Sequence, residues 1–169
     1  MDADEEYSAY VSARWTTLLR SATFLGCPVS EAEDLVQATL VKCYVAWNKV
    51  RKAHDKDAYV YRVLVNTHTS NRRRFWGRER PSADLPVAAV VSDATASSDL
   101  SDSVQRALAG LNRQSRAVVV LRFFADLTEQ QTADALGIQT GTVKSRLSRA
   151  LDHLAEDPNL CDLPGGSPR

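Results

Sequence analysis

The polar residues near the C-terminal end of the chain are of the types that contact DNA. Short hydroxyl groups alternate with basic side chains, and no acidic residue occurs from Gly141 to Leu151. Hydroxyls and an arginine can reach base edges in the major groove, while flanking cations neutralise backbone phosphates. The candidate DNA contacts are Thr140, Thr142, Lys144, Ser145, Arg146, Ser148 and Arg149.

These candidates fall on the second of two short predicted helices. Thr128 and Thr140 are the predicted N-caps, and Gly137 supplies the left-handed residue that ends the first helix. One face of the second helix is apolar and opposes the polar candidates; it carries Val143, Leu147, Ala150 and Leu154. The spacing is typical of a helix-turn-helix, with a plain helical hairpin as the alternative.

A second polar cluster lies on a helix predicted from Lys56 to Trp76. One side carries Arg62, Asn66, Thr69 and Arg73, and the opposite side carries Val60, Tyr61, Leu64 and Val65. The helix runs into an arginine-rich end that includes Arg72 and the aromatic Phe75 and Trp76. Guanidinium groups pair with phosphates and aromatic planes stack on bases, although a solvated helix end would have the same composition.

Catalytic and metal-binding chemistry finds little support in the sequence. The three histidines are far apart, and no hydrolase, metalloprotease or phosphate-loop motif is present. The three cysteines are odd in number and widely spaced, which argues against a zinc site or a disulfide framework. We therefore predict a protein that is not an enzyme and needs no cofactor or metal.

The hydrophobic pattern predicts an all-α fold. Helices are predicted over residues 7–25, 56–76, 101–109 and 112–125. Asn112 is the predicted N-cap of the last of these. A Ser30–Glu33 capping box opens a further helix, which runs through Trp47.

Residues 81–98 are rich in Pro, Ala, Ser and Asp without periodicity. We predict two small helical domains, at 1–80 and 101–156, joined by a flexible linker at 81–100 and followed by a disordered tail at 157–169. The free domains should tumble partly independently.

Charge and hydropathy say less about partners and about location in the cell. The net charge is zero, so it does not indicate a partner. The N-terminus is acidic and lacks the parts of a signal peptide, and no apolar run approaches membrane-spanning length. We expect a cytoplasmic protein without membrane insertion.

Several stretches together resemble extracytoplasmic-function (ECF) sigma factors of the sigma-70 family. Residues 32–37, followed by Trp47, are similar to region 2.2, and residues 58–67 resemble the promoter-reading helix that follows it. Residues 111–154 are similar to region 4. The stretch at 65–81, with its Val-Asn-Thr-His, arginine-rich and Glu-Arg-Pro parts, resembles an actinobacterial SigE-like subgroup.

The resemblance implies a separate role for each of the two domains. The first domain would bind core RNA polymerase through Asp34, Gln37 and Leu40. It would read the −10 element with the loop at 48–55 and with Arg51, Arg62, Asn66, Arg72 and Arg73. The second domain would read the −35 element of promoter DNA with the helix beginning at Thr140. An anti-sigma factor is a further possible partner.

Two positions depart from the family pattern. Val50 stands where some relatives have an aromatic residue, which puts base capture in that loop in doubt. Thr132 replaces a larger aliphatic residue in the first helix of the helix-turn-helix. Two other classes remain open: a repressor or activator that never contacts polymerase, and a module for single-stranded nucleic acid. The repressor or activator gives no role to residues 32–37 or to the aromatic and basic helix at 56–76.

Overall fold

The computed structural model describes residues 2–78 and 97–161, and within these ranges α-helix is the only regular secondary structure. The predicted all-α fold is therefore confirmed for the described part of the chain. The predicted linker, from residue 81 to residue 96, and the tail after residue 161 lie outside it.

Within residues 2–78 the N-terminal domain has four helices: α1 (Ala3–Phe24), α2 (Val29–Val45), α3 (Trp47–Val50) and α4 (Lys56–Arg78). α1 begins with a capping box that the sequence analysis missed, in which Asp2 and Glu5 exchange side-chain and backbone hydrogen bonds. The predicted apolar face of α2 is buried: Val36, Leu40 and Cys43 are at most 4% exposed, as is Trp47, which begins α3.

The described part of the C-terminal domain, residues 97–161, has five helices: α5 (Ser97–Ala109), α6 (Arg113–Phe123), α7 (Glu129–Leu136), α8 (Thr140–Ala155) and α9 (Pro158–Cys161). Asn112 and Thr128 cap α6 and α7 with their side chains, as predicted. Gly137 ends α7 with φ 66°, the left-handed conformation that the turn requires.

Two predicted helix caps are wrong. α2 starts one residue before Ser30, after an extended Pro28 (φ −55°, ψ 142°), and no side chain caps it. Ser30 thus lies inside the first turn, where it cannot act as N-cap. α8 includes Thr140 as its first residue, and the N-cap position belongs to Gln139, whose side chain makes no capping bond.

The predicted linker and the predicted tail each include residues that are helical in the structure. α5 starts at Ser97, inside the predicted linker. In the predicted tail, the Asp157 carboxylate accepts a hydrogen bond from the backbone N–H of Asn159 (2.8 Å), and Pro158 occupies the first helical position, which suits proline. These local bonds form α9, which packs against α5.

In this structure the two domains pack on each other. α7 lies against α4, and α6 contacts α1. The aromatic rings of Phe24 and Phe124 are 4.3 Å apart between centroids. One continuous apolar core joins Tyr61 and Leu64 of α4 to Leu121 of α6.

Candidate nucleic-acid interface

α8 presents the predicted DNA contacts on its outer face. Ser145, Ser148 and Arg149 are exposed. Val143 and Ala150 are at most 2% exposed on the opposite face. The structure thus separates an apolar side from a polar side, which leaves the predicted base-reading groups accessible.

A cluster of buried apolar residues packs beneath the turn before α8. Val118, Ala133 and Val143 form a compact buried cluster, with Leu136 and Ile138 packed against it. Thr132 is fully buried, and its Oγ1 has no hydrogen-bond partner among the described residues. The threonine hydroxyl is therefore buried among apolar residues without the hydrogen bond that it would have in water.

The flanking cations of α8 differ in their surroundings. Lys144 Nζ lies 3.6 Å from Glu129 Oε2 of α7, and the lysine side chain is 66% exposed. Such an exposed pair contributes little to stability, so the lysine can exchange Glu129 for a phosphate at small cost. Arg146 is half-buried at the edge of the helix.

α4 carries the second predicted nucleic-acid surface. Arg62, Asn66 and Arg73 are exposed on one face, and the opposite face is buried in the core through residues such as Tyr61 and Leu64. Four of the five predicted −10 contacts thus lie on α4, and three of them share its exposed face.

The other two predicted −10 contacts are placed differently. Arg72 is half-buried and faces the C-terminal domain, where burial and the nearby Arg113 lower its pKa. Arg51 pairs with Glu6 of α1 (Nε to Oε2, 3.1 Å). Glu6 also bonds Lys56, and that bond, opposed in part by burial, holds the pKa of the carboxyl below its usual value.

Val50 is the last residue of α3, so the first three residues of the predicted loop at 48–55 are helical. Its side chain is fully buried in the core. A valine packed in this way cannot receive a base without local unfolding. The loop ends at Asp55, whose carboxylate accepts a hydrogen bond from the Ala58 N–H (2.8 Å) at the start of α4.

The outer face of α2 extends beyond the predicted polymerase contacts. Asp34 and Gln37 are exposed, as a docking role requires. Leu40 is only 4% exposed, so its proposed role in direct contact is wrong for this conformation: the side chain belongs to the apolar face that packs inward. Leu40 supports the helix from inside the domain.

Three exposed apolar residues on α2 were missed by the sequence analysis. Val41, Tyr44 and Val45 are 61%, 48% and 82% exposed. They continue the helical spacing of Asp34 and Gln37, so all five share one side of α2. Their signal was present in the sequence, as apolar residues out of phase with the buried face.

Other kinds of site are not evident in the described ranges. No group of three or more His, Cys, Asp or Glu side chains comes together there as a metal site. Among the same residues, no helix has the length and apolar character that a membrane crossing requires.

The comparison with protein families matches both domains separately. Residues 7–78 match Sigma-70 region 2, and residues 101–154 match Sigma-70, region 4. The RNA polymerase sigma-E factor of Streptomyces avermitilis is 39% identical over 158 residues, which cover 94% of this chain and 88% of the relative. The corresponding sigma-E factor of Streptomyces coelicolor is 38% identical over 94% of this chain and 89% of its own length.

Solved structures share the same fold. The sigma factor RpoE of Bartonella quintana, in complex with the anti-sigma factor NepR, matches with a TM-score of 0.71 and 25% identity over 90% of this chain and 96% of that chain. CnrH, in complex with the cytosolic domain of CnrY, matches with a TM-score of 0.66 and 22% identity over 90% of this chain and 86% of that chain.

The chain belongs to the sigma-70 family of RNA polymerase sigma factors, within its ECF group and close to the sigma-E factors of Streptomyces. The family resemblance inferred from the sequence is thereby confirmed. The region 2 match also gives the N-terminal half a role that a repressor or a single-strand binding module leaves unexplained.

Proposed function

We propose that this chain binds core RNA polymerase through α2 and directs it to promoters by reading the −10 element with α4 and the −35 element with α8. The single observation that carries this proposal is the exposure pattern. Each of the three helices buries an apolar face in the core and exposes an opposite face whose side chains suit its proposed partner. α4 and α8 offer cations, amides and hydroxyls, which suit nucleic acid, and α2 offers a mixed polar and apolar stripe.

The α2 stripe fits a protein partner better than it fits DNA. Asp34 would repel phosphates, whereas Val41 and Val45 would be desolvated on a protein surface. The stripe consists of Asp34, Gln37, Val41, Tyr44 and Val45, and we call it the α2 docking face. Tyr44 is held in place because its hydroxyl donates a hydrogen bond to Asp4 (3.1 Å).

In this proposal the protein acts by binding, not by catalysis, and it works in the cytoplasm, where polymerase and promoter DNA meet. An anti-sigma factor is a further proposed partner. The support for it is the similar RpoE structure, which is a complex with the anti-sigma factor NepR.

The decisive experiment is run-off transcription from a genomic library with sigma-free core polymerase and the purified chain. We expect initiation at a defined subset of promoters, whose aligned sequences reveal the −10 and −35 elements. The double variant Asp34→Ala/Gln37→Ala should lose co-purification with core and keep its helical circular dichroism. Glu156→Ala, which removes an exposed carboxylate from the other domain, is the matched control. Wild-type protein that neither binds core nor supports initiation would refute the proposal.

A further inference from the structure

Three arginines and a histidine come together beside the end of α1. His68 and Arg72 belong to α4, and Arg113 and Arg116 belong to α6. Burial lowers the pKa of His68, and the charges of the three arginines lower it further. Burial and the charge of Arg113 act in the same direction on the pKa of Arg72. Charges shift one another's pKa in this way only at short range, so the four side chains form one group, which we call the basic cluster.

Arg116 is fixed in the basic cluster by the backbone at the end of α1. Its Nε donates a hydrogen bond to the carbonyl of Phe24 (2.5 Å). Gly26 has φ 103°, and a Cβ built there would lie 3.0 Å from Arg116 Nη1, so the glycine leaves room for the guanidinium. With Nε engaged, Nη1 and Nη2 form a fork of held orientation. Such a fork matches two oxygens of a phosphate group.

His68 adds a ring nitrogen that lacks a partner. Its Nε2 is buried and has no hydrogen-bond partner among the described residues. The backbone at Leu25 bonds the ring and raises the pKa of His68, against the larger effects of burial and of the nearby arginines. A buried polar atom without a partner costs free energy, and a bound oxyanion would provide the partner once the ring is protonated.

The positive charge of the basic cluster is not balanced by carboxylates within residues 2–78 and 97–161. None of its three arginines forms a salt bridge there. Four other cations in the same ranges do pair with carboxylates: Arg14, Arg51, Lys56 and Lys144. Arg72 and Arg116 are half-buried, so water and salt screen their repulsion less than they would at the surface. An anion that neutralises them would therefore stabilise the fold.

The first turn of α6 adds to the positive potential. The helix begins at Arg113 and has 11 residues, and the side chain of Asn112 caps the N–H of Ser115. The N–H groups that precede Ser115 have no partner within the helix, and the helix dipole is positive at this end. The same end of α6 thus brings a guanidinium and free amides toward an anion.

Burial favours a small ligand over a nucleic-acid strand. Of the four side chains only Arg113 is exposed, and His68 Nε2 is buried, so a compact group reaches them more easily than a polymer backbone does. Three cations suit a ligand with more than one negative charge. Phosphates combine that charge with oxygens that can accept from several donors at once.

We propose that the basic cluster binds a small multivalent phosphate, such as pyrophosphate or the terminal phosphates of a nucleotide. Arg72 and Arg116 hold the phosphate oxygens, while Arg113 and the first turn of α6 cover the exposed side. The site goes beyond the proposed function, because it requires neither polymerase nor promoter DNA.

Calorimetric titration of the full chain with pyrophosphate tests the site. Divalent cations are left out, and sodium chloride keeps the ionic strength constant, so general screening does not change. We expect saturable binding at one site. Arg113→Gln should weaken it about ten- to hundredfold, because it removes a charged hydrogen-bond donor. Arg106→Gln, which changes an exposed arginine of α5, is the matched control and should bind as wild type does.

Nuclear magnetic resonance can show that the anion binds at the basic cluster. Pyrophosphate should raise the pKa of His68 from about 4 toward 6.5, because its charge offsets that of the arginines. His54 and His153 are exposed and serve as internal references whose titration should not change. The site is overturned if wild type shows no saturable binding, if Arg113→Gln binds equally well, or if His68 titrates as before. A chain that initiates transcription without binding pyrophosphate would overturn this site and leave the proposed function standing.

Further titrations separate the sources of the phosphate. Tighter binding of a nucleoside triphosphate than of inorganic tripolyphosphate would support a nucleotide ligand, and equal binding would support the inorganic anion. A short single-stranded oligonucleotide tests the other class of ligand. If its affinity falls as much with Arg113→Gln as that of pyrophosphate does, the basic cluster serves nucleic acid and the proposal of a small ligand is wrong.

Discussion

Arg149 and Lys144 of α8 differ in position, and the difference predicts different roles. Arg149 is exposed on the polar face, beside Ser145 and Ser148, while Lys144 lies toward α7 and pairs with Glu129. An arginine at the centre of the face can reach a base edge, and a lysine at the flank reaches a phosphate more readily.

Arg149→Ala should therefore cost about 1–3 kcal/mol of promoter binding and relax the preference at one position of the −35 element. Lys144→Ala should weaken all promoters nearly alike and lower the salt slope by about one. Transcription from a promoter library at two salt concentrations measures both effects. The assignment of the two roles is wrong if Lys144→Ala changes the preferred sequence and Arg149→Ala does not.

Gly141 has no structural reason to be glycine within the free chain. It lies in the first turn of α8, and a Cβ built there meets nothing within 4 Å. Gly141→Ala should stabilise the free protein by roughly 0.5–1 kcal/mol, because alanine favours helix over glycine. If the open space receives the DNA backbone, the same variant should weaken −35 binding. Thermal unfolding and transcription separate these effects, and unchanged transcription would show that the space is not used.

At the scale of the element, α2 divides cleanly into an inner and an outer face. Leu40 lies on the inner face and Val45 on the outer face, although both are apolar residues of one helix. Substitution of each should therefore act on a different property.

Leu40→Ala should lower the free energy of unfolding by about 2–5 kcal/mol, because it leaves a cavity in the core. Val45→Asp should leave stability within about 0.5 kcal/mol of wild type and weaken binding to core polymerase. Denaturant unfolding and a core-binding titration give the two quantities. A Val45→Asp chain that binds core as well as wild type would remove Val45 from the α2 docking face.

At the scale of the whole molecule, like charges meet where the domains close. Burial, together with Arg72 of α4 and Arg113 and Arg116 of α6, lowers the pKa of His68 to about 4, although the backbone at Leu25 acts in the opposite direction. Unfolding removes this environment, so the pKa of His68 should rise to about 6.5 in the unfolded chain. Between about pH 4 and pH 6.5 the folded chain therefore binds fewer protons at His68 than the unfolded chain does.

The free energy of unfolding should accordingly fall as the pH falls from about 7 through 6.5 toward 4, the range between the unfolded-state and folded-state pKa of His68. At pH 5.5 the loss that is due to His68 should be at most about 1 kcal/mol. His68→Asn, which cannot titrate, should lack this part of the pH dependence. Denaturant unfolding of both proteins at pH 7 and pH 5.5 measures it; an equal pH dependence in the variant would mean that another group titrates.

Much of the helix-turn-helix follows from short-range rules, which is why the sequence predicted it. Thr128 caps α7, Gly137 ends it in the left-handed conformation, and Val143 and Ala150 fall on one side of α8. Each relation spans a few residues and depends on backbone geometry that is the same in any helix. The caps at Ser30 and Thr140 were wrong because a neighbouring residue one or two positions earlier took the N-cap place.

The sequence by itself determined the family, the all-helical class and the polar faces of α4 and α8, because local periodicity and motif order carry that information. Only the tertiary structure decided that Gln131 bonds Asp55, 76 residues away, and that Arg116 bonds the carbonyl of Phe24, 92 residues away. It also placed Val45 on the outer face of α2. Contacts of this kind depend on how whole helices pack, and no spacing rule within one helix specifies them.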